Sequence, residues 1–324
     1  MEVWVPWRDT ELLLELPGEA LVDLMDPPEP DPSSVRNDPL TDRNFPVALL
    51  DVTFASPGSI GTLVRRCPAE ETYVISWADL ESPSSGTELR RAAEVEGALP
   101  VTDVNGLSAL RERVARSGEL LLVAPSVASL VHALDDRSLA ESVCVTLGIG
   151  PEEVRVEVLR YLVDQRGEFT GFTGQGPQVQ EPERGYDLVV CSPGGRPFDR
   201  TLVGSLLVAL AASRLSADGR VLGVVCGCEE GFGSRLALDG MIRGSGEGIN
   251  GVYALLASRF VEERSRVRIL TNAPLPRAVV QELLGIRQAS RVDDLVHAAT
   301  RFVGREIRVA VLRRAALGFR LPSQ

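Results

Sequence analysis

Residues 186–235, YDLVVCSPGGRPFDRTLVGSLLVALAASRLSADGRVLGVVCGCEEGFGSR, decide the fold. They hold a short apolar run (Tyr186–Cys191), a turn with two glycines and an apolar helical stretch over 199–214. A second run (Arg220–Cys226) and another glycine-rich turn follow. Short apolar runs bounded by turn residues are strands buried on both faces. A helix between two such strands predicts a parallel pair covered by its crossover.

The same rhythm extends in both directions. Toward the C-terminus, strands are expected at Arg266–Leu270 and Glu306–Leu312, with helices over 233–243, 250–263, 277–284 and 291–303. In the last helix Val292, Leu295, Val296, Ala299, Phe302 and Val303 fall at helical spacing, and Ser290 is placed to cap it. Toward the N-terminus, Val47–Leu50, Thr72–Trp77 and ELLLVAP (119–125) read as strands. Residues 143–147, and 154–174 broken at 165–168, read as strands too. Helices are expected over 59–66, 87–97 and 107–118. Another begins at Ser126, with Val127, Leu130, Val131 and Leu134 facing inward. The chain opens with a hairpin in which Val3, Val5 and Trp7 face Leu12, Leu14 and Leu16 across a turn. Residues 23–46 and 174–185 are rich in Pro, Asp, Gly and Gln and read as linkers. The expectation is an α/β protein of two domains, each a mostly parallel sheet flanked by helices. Residues 1–180 form a first domain of hairpin, loop and β/α units, and 186–324 a Rossmann-like second domain.

Composition narrows the function. The chain has 324 residues, 44% apolar and 24% charged, with a net charge of −11. Such an acid excess repels phosphate backbones, so neither nucleic acid nor an anionic membrane is an expected partner. No apolar run is long enough to span a bilayer, and the opening residues lack a secretory pattern, so the cytoplasm is expected. All 34 basic residues are Arg; there is no Lys, which excludes Schiff-base and lysine-linked chemistry. The two histidines, His132 and His297, lie off the apolar faces of their helices and are expected in solvent. The five cysteines read as buried thiols, and the Cys226–Cys228 spacing is poor for a tetrahedral metal, so no metal site is expected.

In open α/β sheets ligands lie beyond the carboxyl ends of strands. Three stretches fall there. In 191–200, Gly194 and Gly195 allow close backbone approach and Asp199 sits near a helix start. In 224–235, Glu229, Gly231 and Gly233 form a second turn, with Glu230 beside them. In 51–57, DVTFASP, Asp51 and Thr53 are polar groups at a strand end. Together they suit a small anionic ligand. The same residues also suit tight strand-to-helix turns with acidic caps and a solvated loop edge.

These stretches carry a resemblance. The opening VWVPWRDTELLLELPGEALVDLMDP, the segment quoted first, and the tail YALLASR, RVRILTNAPLP, LLGIRQAS and DDLVHAA resemble the nickel-dependent lactate racemase family. The match covers about 186–320 most specifically, the first residues moderately and the middle weakly. It implies a two-domain α/β fold. It also implies a nickel-pincer nucleotide that takes a hydride from the α-carbon of a 2-hydroxy acid, with histidines handling the hydroxyl proton. In the family a lysine holds that cofactor and a histidine ligates the nickel. Here no lysine exists, and the family's Thr-His-Arg motif and Lys-bearing glycine segment are absent. The chain is also shorter than a typical member. DVTFASP keeps Asp51, Thr53 and Pro57, but the family's phosphate-binding arginine is Phe54. The family's substrate-binding Gln and Lys fall on Gly204 and Leu207.

The resulting expectation is a shortened, degenerate homologue with no bound cofactor and no assigned catalytic residue. It would be a ligand-binding or regulatory pseudoenzyme that takes a small anion such as a 2-hydroxy acid, partners another protein or forms a homo-oligomer. The alternative is a racemase- or epimerase-type isomerase with a site rebuilt in the interdomain cleft on Asp51, Asp199 and Glu229. A third reading is an α/β protein that binds an anion or nucleotide at its glycine turns. The cleft discriminates among them. A polar opening lined by Asp51, Gly194, Gly195 and Glu229 marks a ligand site, whereas one filled by Phe54 and Leu207 marks a dead one.

Overall fold

The computed structural model describes residues 1–28, 32–38, 43–82, 86–174, 176–177, 185–244 and 251–319. Most of the second expected linker, and part of the first, lie outside these residues. Strands β1 (Glu2–Trp7) and β2 (Thr10–Glu15) pair as the expected antiparallel hairpin. Next comes β3 (Leu21–Met25), which the sequence did not reveal.

The first sheet contains β4 (Phe45–Asp51), β5 (Ala69–Ile75), β6 (Leu99–Val101), β7 (Glu119–Pro125), β8 (Arg155–Val163) and β9 (Phe169–Thr173). Their order is β6-β5-β4-β7-β8-β9, parallel except for β9. Four helices belong to this half: α1 (Pro57–Arg66), α2 (Gly86–Val95), α3 (Val104–Ser117) and α4 (Asp136–Leu147). The second half has strands β10 (Tyr186–Cys191), β11 (Ser216–Val224), β12 (Arg268–Thr271), β13 (Arg287–Gln288) and β14 (Arg308–Leu312). Its helices are α5 (Leu202–Ala212), α6 (Arg235–Arg243), α7 (Val252–Arg266) and α8 (Asp293–Val303). The order in the second sheet is β13-β12-β11-β10-β14-β3, all parallel. In each sheet the chain moves one way from its first central strand and later returns to the other side. The two reversals fall at β4 and β10, and such switch points are where α/β sheets hold ligands.

The first 25 residues, expected with the first domain, lie on the second sheet. Strand β3 pairs with β14, and Val3, Val5, Leu14 and Leu16 share a core with Leu188, Val190 and Leu295. A second core runs without a break from Leu49 and Val74 of the first sheet to Val189 and Leu222 of the second. Helix α5 explains the continuity. All of its residues from Leu202 to Ala212 are buried, as befits a helix that is apolar on every side. Among the described residues, no helix is long and apolar enough to cross a membrane.

Several local expectations are corrected. Residues 126–134 form a turn, and 143–147 are the end of α4 rather than a strand. The side chain of Asp135 starts that helix by accepting from the Ser138 N–H at 2.9 Å, and Gly148 ends it at φ +68°. Residues 278–283 coil as a π-helical turn. At α8 the expected cap is reversed. The Asp294 carboxylate accepts the Ser290 and Arg291 N–H groups, each at 2.9 Å.

Candidate functional site at the junction of the two sheets

Asp51 is the last residue of β4 and is 1% exposed. Its Oδ1 accepts from the Thr53 N–H at 2.9 Å and the Thr53 hydroxyl at 2.6 Å. The Thr53 Oγ1 accepts in turn from the Trp77 N–H at 2.9 Å. Asp51 Oδ2 lies 2.5 Å from His132 Nε2, and His132 Nδ1 lies 2.6 Å from the Ser129 hydroxyl. A carboxylate only accepts, so Nε2 donates to it and the Ser129 hydroxyl donates to Nδ1. This corrects the expectation for His132, which is fully buried rather than in solvent. The turn that carries it is tied down by Arg160, whose guanidinium donates to His132 O at 2.6 Å and Leu134 O at 2.8 Å. Tyr161 donates its hydroxyl to Asp51 O at 2.6 Å, and burial pushes the Tyr161 phenol well above its usual range.

A hydroxyl, an imidazole and a carboxylate are thus joined by two hydrogen bonds, with the carboxylate fixing the orientation and tautomer of the imidazole. Sequence reasoning missed it, because His132 and Asp51 are 81 positions apart. One signal was available. Asp135 followed by Ser138 marks a helix start, which leaves 126–134 as the loop after a strand.

The switch point of the second sheet is covered by the chain's own hairpin. The Ser192 hydroxyl donates to Pro6 O at 2.5 Å, and the Trp7 indole donates to Cys226 O at 3.1 Å. Asp199, 1% exposed, does not cap α5. Its Oδ2 accepts the Arg8 N–H from the hairpin and the Gly227 N–H from the second glycine turn, both at 2.9 Å. Burial raises the Asp199 carboxyl above its ordinary range despite those two donors. Thr201 caps α5 instead, accepting from the Gly204 N–H at 3.2 Å.

Two of the glycines admit protein backbone. Gly195 has φ +75°, and a Cβ there would stand 2.4 Å from Arg8 O. Gly233 has φ +89°, and its Cβ would stand 2.4 Å from Ala78 O in the first half. Gly194 lies against the Phe198 ring, and Gly231 has open space around it. Glu229 pairs with Arg196, and with Arg8 at 3.5 Å, at the partly exposed rim. Glu230 pairs with Arg200 at 3.5 Å. Thus Asp199 and Gly195 gather under the hairpin and Asp51 and Thr53 under β4, while Glu229 faces outward.

Between the two switch points the space is filled. The Phe54 ring, 1% exposed, stacks on Phe198 at 5.9 Å and meets the His132 ring edge-on at 5.7 Å. Leu207 is 1% exposed, and its carbonyl accepts the Leu130 N–H at 2.7 Å. Tyr253 reaches across to Trp77 O, and Arg200 to Asp79, each at 3.2 Å. A cavity of about 20 Å³ beside Val52, Ser76, Asp79 and Arg200 has room for a single water. Cys226 and Cys228 lie with their sulfurs 3.2 Å apart, and burial holds the Cys228 thiol far above its usual range. Among the described residues, no group of three or more His, Cys, Asp or Glu side chains is placed to hold a metal.

No family profile matches the chain, and no curated protein sequence does. Solved structures do. The lactate racemase apoprotein from Thermoanaerobacterium thermosaccharolyticum aligns over 98% of this chain and 99% of its own, with a TM-score of 0.68 and 11% identity. A protein from Thermotoga maritima aligns over 86% of this chain and 93% of its own at a TM-score of 0.43 and 9% identity, which adds nothing to the assignment. The fold is therefore a two-sheet α/β fold of the lactate racemase type.

Proposed function

We propose that this chain is a lactate-racemase-like protein that has lost the racemase reaction and acts as a ligand-binding or regulatory homologue. The observation that carries the reading is the filled junction: the buried Phe54 ring stacks on Phe198 and meets the His132 ring edge-on, and Leu207 is buried as well. The fold's nickel-pincer nucleotide does not suit these residues. Phe54 stands where the resemblance implies a phosphate-pairing arginine, no lysine exists to hold the cofactor, and the imidazole of His132 is engaged on both nitrogens. Shortening is no part of the proposal, since the structural alignment spans nearly all of both chains. A cytoplasmic location goes with it, because five unpaired thiols suit a reducing compartment. Nickel analysis of protein made in cells that synthesise the cofactor tests the proposal, together with a racemisation assay on 2-hydroxy acids. Substoichiometric nickel and no racemisation are expected. Stoichiometric nickel, or interconversion of the enantiomers, overturns it.

One observation favours a second reading, an isomerase with a rebuilt site. The Ser129–His132–Asp51 line keeps an acid–base pair at the switch point of the first sheet. That reading requires the Phe54 side to open to substrate. It is supported if Asp51→Asn abolishes an activity found on a 2-hydroxy acid, and it falls if no such activity exists.

A further inference from the structure

Beyond the carboxyl ends of β12 and β13, a cavity of about 930 Å³ opens between the π-helical turn 278–283 and α8. That lies within the ~300–1,000 Å³ of small-molecule sites. Arg277, Arg287 and Arg301 line it, as does His297. Several guanidinium groups of this acidic chain sit on carboxylates, as Arg160 does on Asp136 and Arg266 on Glu263. Among the described residues, no carboxylate pairs with these three, and Arg277 meets only the neutral Gln281 at 2.9 Å. The one acid in the lining, Asp294, is already engaged by two backbone N–H groups. Three guanidiniums against one carboxylate leave the concave wall net positive, a receptor for an anion, and their planar forks match phosphate oxygens.

The rest of the lining narrows the class. No Phe, Tyr or Trp lines the cavity among the described residues, so a nucleobase has no ring to stack on. The neutral groups include hydroxyls and an amide, from Ser290, Thr300 and Gln281, beside small apolar residues such as Ala273 and Ala289. Gln288 stiffens the wall by donating to Ala273 O at 2.7 Å and Leu275 O at 2.9 Å. We propose that this cavity binds a phosphorylated polyol, the chemical class of the sugar phosphates. The arginines hold the phosphate, and the hydroxyl and amide groups meet the hydroxyls. None of the residues around Asp51 or Phe54 lines it, so the site stands whether or not the junction is catalytic.

Titration calorimetry on the full chain tests this, with ribose 5-phosphate, ribose and inorganic phosphate as separate probes. Ribose 5-phosphate is expected to bind more tightly than either fragment. Arg287→Gln and Arg301→Gln are each expected to weaken it about tenfold, as for loss of one charge-assisted contact. These side chains are exposed, so unchanged melting of the unliganded variants is expected, and Arg277→Gln gives a third, independent reading. The absence of binding by ribose 5-phosphate, or unaltered affinity in the double variant, overturns the site. Inorganic phosphate binding as tightly as ribose 5-phosphate overturns the polyol assignment.

Discussion

Phe54→Ala is the sharpest test of the filled junction. The ring is 1% exposed and stacks on Phe198 at an interplanar angle of 28°. Truncating a buried phenylalanine costs ~3–5 kcal/mol through lost transfer energy and the cavity left behind. An aromatic pair adds ~0.5–1.5 kcal/mol beyond buried area. Neighbours drawn from two different sheets cannot easily collapse into the hole, so the expected loss is about 4 kcal/mol. Urea unfolding at neutral pH reads this as a lower midpoint with little change in slope. A double-mutant cycle with Phe198→Ala isolates the stacking, with an expected coupling of ~0.5–1.5 kcal/mol. Because one core joins both halves, the parent and the variant should each unfold in one transition. A loss below about 1 kcal/mol, or no coupling to Phe198, would show that the ring is not enclosed. The closed junction, and the non-catalytic reading built on it, would then fall together.

Asp199→Asn keeps an oxygen for the Arg8 and Gly227 N–H groups and removes a buried charge, whereas Asp199→Ala strands both donors. At neutral pH the Asn variant should be at least as stable as the parent, and the Ala variant weaker by ~1–3 kcal/mol for each stranded N–H, read by urea melts. The folded carboxyl sits above its unfolded value, so its contribution is complete below the unfolded value and is lost as pH rises through the folded one. The parent should lose stability over that window relative to the Asn variant, and parallel pH profiles would refute the buried charge. Asp51→Ala leaves His132 Nε2–H and the Thr53 hydroxyl without their acceptor, and should cost ~1–3 kcal/mol for each stranded donor in the same assay. Adding His132→Leu should recover part of that loss, and strict additivity would show that the two side chains do not interact. Gly195→Ala places a Cβ 2.4 Å from Arg8 O at φ +75°, so it should lift the hairpin turn and red-shift Trp7 fluorescence. Unchanged emission would mean that the hairpin is not seated on that turn.

The strands were legible because a buried parallel strand is a continuous apolar run. ELLLVAP forms β7 over the residues expected, Glu119 to Pro125. The errors sit where local pattern and long-range packing disagree. Val143–Leu147 reads as a strand from its β-branched residues, yet Leu139, Val143 and Leu147 form the inner stripe of α4. Val127, Leu130, Val131 and Leu134 fall at helical spacing, but they are turn residues, and Leu130 donates its N–H to Leu207 of the other half. Helical spacing on so short a segment cannot tell a helix from a turn packed on a second surface. Strand β3 was invisible for another reason: its partner, β14, lies near the far end of the chain.

The candidate site shows the same division between local and distant causes. A glycine at a strand end announces that something approaches the backbone closely, but its neighbours in sequence do not say what. At Gly195 the approaching atom is Arg8 O and at Gly233 it is Ala78 O, supplied from residues far away in the chain. Asp199 is a well-placed carboxylate at a switch point, and its partners again come from the hairpin and the neighbouring turn. With Asp199, Ser192 and the Trp7 indole at the second switch point each answered by the protein itself, a ligand there would have to displace the hairpin. It would then need to replace the Ser192 and Trp7 contacts as well as the two N–H groups on Asp199. The arginines beyond β12 face no such competitor, because no carboxylate among the described residues has reached them. Among the described residues, these cavity-lining arginines without a carboxylate therefore lie at the edge of the second sheet and not at its switch point.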